Sequence, residues 1–151
     1  MLAFQINDIK SFIHQLLKGD VFDDFLLRQG EVTSFATLTF DGKRTPGFSE
    51  EETPQPYCYW REVKPIVFLA IKGKQLPKNM KFVFSLTKAQ TETYDNTTAV
   101  FMNLLFRDGE LLVTTATSQT NFSLDKRGES LWEEHVQQFF KKHEIGITKQ
   151  I

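Results

Sequence analysis

The sequence contains a single cysteine, Cys58, among its 151 residues. One cysteine cannot form an intrachain disulfide or a cysteine cluster for zinc, which agrees with a reducing compartment such as the cytoplasm. No apolar run approaches the roughly 18 residues that span a membrane, and the opening MLAFQINDIK lacks the basic and apolar regions of a signal peptide. We therefore expect a cytoplasmic protein without a membrane partner.

The common catalytic and cofactor motifs are also missing. G-x-S-x-G, H-E-x-x-H and G-x-G-x-x-G do not occur, and Gly73-Lys74 lacks the upstream glycine and following Ser or Thr of a phosphate-binding P-loop. Metal ligation from one helix face needs histidines three or four residues apart, whereas His135 and His143 are eight apart. We predict no catalytic residue, no metal site and no cofactor.

Two further candidates for chemistry are Cys58 and a group of aspartates. Cys58 lies in YCYW, which gives the thiol aromatic neighbours and no local signature of a catalytic cysteine. Asp20, Asp23 and Asp24 are close in sequence but lack the glycine and terminal glutamate of a calcium-binding loop. The aspartates are better explained as solvated surface groups.

Charge is unevenly distributed along a chain whose net charge is −1. Residues 63–91 contain no acid and no arginine but include six lysines, at positions 64, 72, 74, 78, 81 and 88. Two interpretations remain open: a solvated lysine face, or an anion site whose ligand-binding residues are Lys72, Lys74, Lys78 and Lys81. The lack of arginine disfavours nucleic acid, because arginine is the usual bidentate reader of phosphate and guanine.

What the sequence does contain is typical of one globular domain. A hydrophobic content of 40%, with fifteen phenylalanines, provides enough bulky apolar material for a core in a chain of this length. We therefore expect a single domain over residues 1–151.

Three helices are predicted from apolar spacing. The first begins after an N-cap at Asn7 and ends at Gly19 in a left-handed conformation; the second ends at Gly73 and has so little polar face that burial is expected. The third spans residues 129–143 and should pack on a sheet. The opening LAFQI alternates like a short strand.

Strands are predicted on either side of Asp41-Gly42, from Met80 onward, and in AVFMNLLFRDGELLVTTATS around Asp108-Gly109, with NFSLD as a further short strand. Residues 44–57 are rich in proline and glutamate and predict an exposed loop. Because most strand connections are short, the predicted fold is α+β, with a mainly antiparallel sheet packed by two or three helices.

An internal repeat is one interpretation of this order. Residues 1–43 and 57–125 each read as strand, helix, strand, strand, turn and strand, with an insertion in the second copy. Such a pair of units is similar to a sliding-clamp domain in its element order, an analogy of fold that carries no function.

Four segments together resemble an uncharacterised family of small bacterial proteins, mainly of low-GC Gram-positive organisms, classified as a domain of unknown function. These segments are NDIKSFIHQLLKG with FDDF, YWREVKPIVFLAIKGKQLPKNMKFVF, DGELLVTTATSQTNFSLDK and LWEEHVQQFFKKHEI. The resemblance implies a cytoplasmic bacterial protein. It brings no activity, cofactor or site residues.

The function is therefore unknown from sequence, and three hypotheses follow. The first is a non-catalytic binding or protein-interaction module, with a protein partner or self-association through a strand edge. The second is a binder of nucleic acid or a phosphate ligand through the basic segment 64–88. The third is an enzyme of unrecognised type, which a deep pocket joining a histidine and a carboxylate would favour.

Overall fold

The computed structural model describes residues 1–48, 55–71 and 75–150. In chain order the elements are β1 (Ala3–Ile6), α1 (Ile9–Leu17), β2 (Leu26–Thr33), β3 (Thr37–Phe40), α2 (Trp60–Ala70), β4 (Asn79–Ser85), α3 (Lys88–Thr91), β5 (Thr97–Arg107), β6 (Glu110–Gln119), α4 (Arg127–Lys142) and β7 (Ile147–Lys149). This is the predicted α+β class, with one short helix, α3, beyond the three expected.

The described strands form one sheet in the order β3-β2-β4-β5-β6-β1-β7, and every neighbouring pair is antiparallel. The hairpin between β5 and β6 turns at Asp108-Gly109, as predicted. Both residues have positive φ, the backbone that a tight hairpin turn requires. The prediction of a mainly antiparallel sheet is confirmed.

Alternation along the strands gives the sheet a helix-covered face and an open face. Phe4, Val113, Leu104 and Phe82 pair across β1, β6, β5 and β4, and all four are buried in the core. The next set across the same strands is Gln5, Leu112, Leu105 and Lys81, of which none is buried. The core therefore lies between one face of the sheet and the helices.

Aromatic contacts hold the three longer helices on that face. Phe140 of α4 meets the ring of Phe4 at 5.0 Å and that of Phe12 in α1 at 6.3 Å. Trp60 of α2 packs edge-on against Phe82 at 5.0 Å, and its indole N–H donates to the carbonyl of Leu16 at 2.8 Å. Thus α1 and α2 are bound to each other as well as to the sheet.

The helix ends differ from the sequence-based predictions. The N-cap of α1 is Asp8, whose carboxylate accepts from the Ser11 amide at 3.1 Å, rather than Asn7. Asn7 instead accepts from the Thr148 hydroxyl at 2.6 Å and helps to hold β7. Gly19 follows the helix without positive φ; an added Cβ would lie 2.8 Å from the Gln15 carbonyl oxygen, so close packing explains this glycine.

Two strand predictions were wrong. The hairpin between β2 and β3 turns at residues 34–36, whereas Asp41-Gly42 follows β3. The segment NFSLD, residues 121–125, forms a loop between β6 and α4 rather than a strand. Side-chain hydrogen bonds compete with strand pairing there, since Asn96 donates to the Asn121 carbonyl at 2.7 Å and accepts from its amide at 3.0 Å.

The predicted loop at residues 44–57 is described only at its two ends, and positions 49–54 lie outside the described residues. The ends are joined by a hydrogen bond from the Arg44 amide to the Pro56 carbonyl at 3.0 Å. An isolated bridge between Lys43 and Tyr57 continues this pairing. These ends are therefore ordered by backbone pairing, which the loop prediction did not include.

Residues 1–43 contain β1, α1, β2 and β3, and residues 57–125 contain α2, β4, α3, β5 and β6. The two Asp-Gly pairs that suggested the repeat stand at different places, because one follows β3 and the other joins β5 to β6. Duplication of a strand-helix-strands unit stays a prediction.

Candidate functional site

Of the four lysines predicted to bind a ligand, two can be placed. Lys72 and Lys74 lie outside the described residues. Lys78 is exposed, and its backbone amide donates to the Thr33 carbonyl at 2.8 Å, next to the β2–β3 turn. Lys81 is exposed on the open face of β4, where it pairs with Glu31 of β2.

The described lysines of the basic segment point to different parts of the molecule. Lys64 is engaged internally, since its ammonium group donates to Asp23 at 2.6 Å and to the Gly19 carbonyl at 2.8 Å. Lys78 immediately precedes the first residue of β4, whereas Lys88 begins α3, which follows the other end of that strand. A seven-residue strand is about 20 Å long, so Lys78 and Lys88 are well separated.

The outer side of α2 is an exposed apolar surface. The helix buries Trp60, Val63 and Val67, but Ile66 is 53% exposed and Leu69 is 64% exposed. The prediction that this helix is buried was therefore wrong for its outer side. No described part of the chain covers that side, although the sequence from Pro65 to Ala70 has no polar residue.

The exposed apolar surface continues beyond the helix. The Ser34 hydroxyl donates to the Ala70 carbonyl at 3.0 Å, which holds the β2–β3 turn at the end of α2. That turn carries Phe35, which is 88% exposed, and the exposed Leu76 precedes β4 close by. We call this set the α2 surface; its members are Phe35, Ile66, Phe68, Leu69 and Leu76.

Cationic groups border the α2 surface. The Lys18 ammonium lies 5.4 Å from the centroid of the Phe68 ring, and Lys78 is two residues from Leu76. The nearest carboxylate on the helix, Glu62, accepts from the Arg44 guanidinium at 2.6 and 3.0 Å. Those hydrogen bonds lower the pKa of Glu62, so its charge is already matched by Arg44. The unmatched charge around this surface is positive.

A cleft of about 460 Å³ lies near the end of α4 and is the place where an enzyme hypothesis can be examined. His143, Asp20 and Asp24 line it together with an apolar floor that includes Phe25 and Phe139. The His143 ring packs edge-on against Phe139 at 4.6 Å. Within the described residues no carboxylate forms a hydrogen bond or ion pair with that ring.

The other residues considered for chemistry have structural contacts. Burial raises the pKa of the Cys58 thiol, which makes it less reactive than an ordinary cysteine. His135 shares a 2.6 Å hydrogen bond with the Tyr94 hydroxyl. Asp23 and Asp24 form ion pairs with Lys64 and Arg61, at 2.6 and 3.1 Å.

Sequence reasoning missed the residues of the α2 surface. The sequence did contain a signal, since the run from Pro65 to Ala70 has no polar residue. A helix that is apolar on all sides is usually covered on all sides, either by its own domain or by a partner. That pattern was interpreted as burial within the domain, whereas the structure leaves the outer side to solvent. Phe35 gave no comparable signal, since single exposed aromatic residues are common.

Residues 1–48, 55–71 and 75–150 contain no group of three or more histidine, cysteine, aspartate or glutamate side chains placed to hold a metal ion. In the same part of the chain, no helix combines the length and apolar character needed to cross a membrane.

Fold and surface together define a single-domain α+β protein that has an antiparallel seven-stranded sheet, helices on one face and an exposed apolar helix surface. The chain belongs to the Family of unknown function (DUF5721), whose profile matches residues 15–147. No curated protein and no solved structure matches the chain. The predicted membership of a family without assigned function is confirmed.

Proposed function

We propose that this protein is a non-catalytic interaction module whose protein partner binds the α2 surface. The observation that carries the proposal is the exposure of Ile66 and Leu69 on a helix that has no polar residue from Pro65 to Ala70. Contiguous exposed apolar groups of this kind mark binding surfaces in soluble proteins.

The energetic reason for binding is the water-exposed area of these side chains. Complete burial of a leucine or isoleucine contributes about 1.5–3 kcal/mol, and roughly half of each side chain is still available at Ile66 and Leu69. Phe35, being largely exposed, adds an aromatic anchor of the type that dominates interface energies. The surface can therefore supply a central apolar contact.

Charge indicates the chemistry of the partner. Lys18 and Lys78 border the α2 surface, and the sequence places Lys72 and Lys74 between α2 and Leu76. An apolar segment flanked by acidic residues would complement this arrangement. The predicted ligand-binding lysines then steer the partner, while the apolar residues supply the affinity; Lys81, on the open face, has the weakest link to this role.

The alternative of a nucleic-acid or phosphate-ligand binder gains no specific support from the described lysines, because Lys64 is paired with Asp23 and Lys88 lies far from Lys78. A bacterial, cytoplasmic setting stays part of the proposal. It is supported by the single cysteine and by the family resemblance.

The test uses two synthetic amphipathic helical peptides with the same leucine face, one with glutamates and one with lysines on its polar face. Fluorescence anisotropy measures their binding to wild type, to Leu69→Glu and to Leu124→Glu. Leu124 is the matched control because it is also exposed, at 85%, in the loop before α4. We expect wild type to bind the glutamate peptide at least about tenfold more tightly at low salt than the lysine peptide.

Leu69→Glu should abolish binding of the glutamate peptide, while Leu124→Glu should bind like wild type. Equal loss in both variants, or no binding by wild type, overturns the proposal. Sedimentation of wild type and of Leu69→Glu is a second test, because it measures the oligomeric state. If wild type is a dimer and Leu69→Glu is a monomer, a second copy of the chain occupies the α2 surface, which contradicts the proposal of an acidic partner.

A further inference from the structure

A β-bulge near the start of β2 places Arg28 on the open face of the sheet. Leu27 pairs with Phe84 and Gln29 pairs with Val83, so Arg28 is the extra residue without a partner in β4. Bulges of this kind re-aim a side chain and are common beside functional sites. Phe84 faces the core, and its neighbour Ser85, which contacts Arg28, lies on the other face.

The Arg28 guanidinium is held from three directions. It lies 4.3 Å from the centroid of the Tyr57 ring and 5.4 Å from that of the Phe101 ring. Its Nε–H donates to the Ser85 hydroxyl at 2.9 Å, and Ser85 is itself buried. Stacking and this hydrogen bond fix the plane of the guanidinium before any ligand arrives.

The terminal amino groups of Arg28 remain available. Arg44, Arg61, Arg107 and Arg127 each have an acidic partner, at 2.6, 3.1, 4.0 and 2.7 Å. Arg28, the remaining arginine of the sequence, has no acidic partner in the described part of the chain, and neither of its Nη atoms forms a hydrogen bond there. A pre-positioned guanidinium whose two Nη atoms keep their N–H donors free matches the geometry of an oxyanion.

Arg28 is also part of the lining of a cavity of about 330 Å³, whose other lining residues come from β2, β3 and the segment after β3; this size is at the lower end of small-molecule sites. Lys43 adds a second cation to its lining, whereas Glu31 and Asp41 contribute two carboxylates. These acids disfavour a polyanion by repulsion and can accept hydrogen bonds from hydroxyl or amine groups. The lining therefore selects a small ligand with one oxyanion and several hydrogen-bond donors.

We propose that Arg28, which contacts the rings of Tyr57 and Phe101 and is anchored by Ser85, is the oxyanion receptor of a small-ligand site on the open face of the sheet. The oxyanion is a carboxylate or a phosphate monoester. The α2 surface lies on the helical side, so this site is independent of the proposed protein interaction.

The test follows the Arg28 Nε–H signal by NMR while N-acetylglycine, its uncharged amide, glycerol phosphate or inorganic triphosphate is added. We expect a saturable shift with N-acetylglycine or glycerol phosphate, which distinguishes the two oxyanions, and no shift with the amide. Triphosphate should bind no more tightly than the better of these two probes, because Glu31 and Asp41 repel its higher charge.

Variants show whether the geometry matters beyond charge. Arg28→Lys keeps the charge but removes the fork and the stacking, and binding should weaken at least about tenfold when followed through backbone amides. Arg107→Lys, at the exposed end of β5, is the matched control and should bind like wild type. Ser85→Ala keeps Arg28 but removes its anchor, and should weaken binding severalfold.

The proposal is overturned if neither oxyanion shifts the Arg28 signal, or if Arg28→Lys binds as tightly as wild type. It is also overturned if triphosphate binds best and Arg107→Lys weakens it as much as Arg28→Lys, because that result describes general charge attraction.

Discussion

At the scale of single residues, the contact between Tyr94 and His135 links α4 to the segment after α3. Tyr94 is buried, and its hydroxyl lies 2.6 Å from Nδ1 of His135. The Trp132 ring packs edge-on against Tyr94 at 5.6 Å, and its indole N–H donates to the Phe101 carbonyl at 2.9 Å. These polar atoms of aromatic residues therefore position α4 over the sheet.

Burial of Tyr94 leads to a pH prediction. Desolvation raises the pKa of its hydroxyl from 10.0 to about 12 in the folded protein. Because the folded pKa exceeds the unfolded one, the neutral phenol's contribution to stability is complete below pH 10.0 and is lost as the pH rises toward about 12. The difference in phenolate absorbance between wild type and Tyr94→Phe should therefore titrate near pH 12.

The same difference measured in concentrated urea provides the control, since an unfolded tyrosine ionises with a pKa of about 10. A difference between wild type and Tyr94→Phe that titrates near pH 10 in the folded protein would show that Tyr94 is accessible to water, contrary to the structure.

At the scale of elements, the two Asp-Gly pairs show how one dipeptide serves different structures. Gly109 has φ +75° in the β5–β6 turn, and an added Cβ would meet no atom within 4 Å. Gly42 has φ +70°, but a Cβ there would overlap the Leu27 carbonyl oxygen. The segment after β3 therefore passes so close to β2 that a side chain has no space.

These two glycines form a matched pair for mutation. Gly109→Ala should cost about 1–2 kcal/mol, the penalty for placing a side chain in left-handed backbone. Gly42→Ala carries the same penalty and must also displace the backbone at Leu27, so we expect a loss of more than about 3 kcal/mol. Urea unfolding of both variants measures the difference, and equal losses would contradict the close approach at Gly42.

The helices show where pattern-based prediction succeeds and where it stops. Apolar spacing predicted α1 and α4 within a few residues of their observed limits, because each buries one stripe of side chains. For α2 the same reasoning predicted a helix correctly but its burial wrongly, since Ile66 and Leu69 face solvent. Periodicity shows which sides of a helix are apolar, whereas the burial of each side depends on which other elements pack against it.

At the scale of the whole molecule, β5 is the centre of the sheet and its longest strand, with eleven residues. It pairs with β4 on one side and with β6 on the other. The edge strands are β3, with four residues, and β7, with three. Stability should therefore decrease from the centre of the sheet toward both edges.

Hydrogen exchange measured by NMR checks this gradient. Amides of β5 that bond to a neighbouring strand should exchange only by global unfolding, about a thousandfold or more slowly than amides of β7, which open locally. The α2 surface provides an internal comparison, because the single-sided packing of that helix predicts intermediate protection. Protection of β7 equal to that of β5 would contradict the observed strand order.

The sequence by itself determined the α+β class, the antiparallel pairing and the approximate limits of α1, α4 and the β5–β6 hairpin, because these follow from local periodicity and turn chemistry. It also showed six lysines in an acid-free segment, but not where their side chains go. The candidate sites depended on contacts between distant residues. Pairing of β2 with β4 places Arg28 beside Ser85, and the packing of α2 on one side alone exposes Leu69.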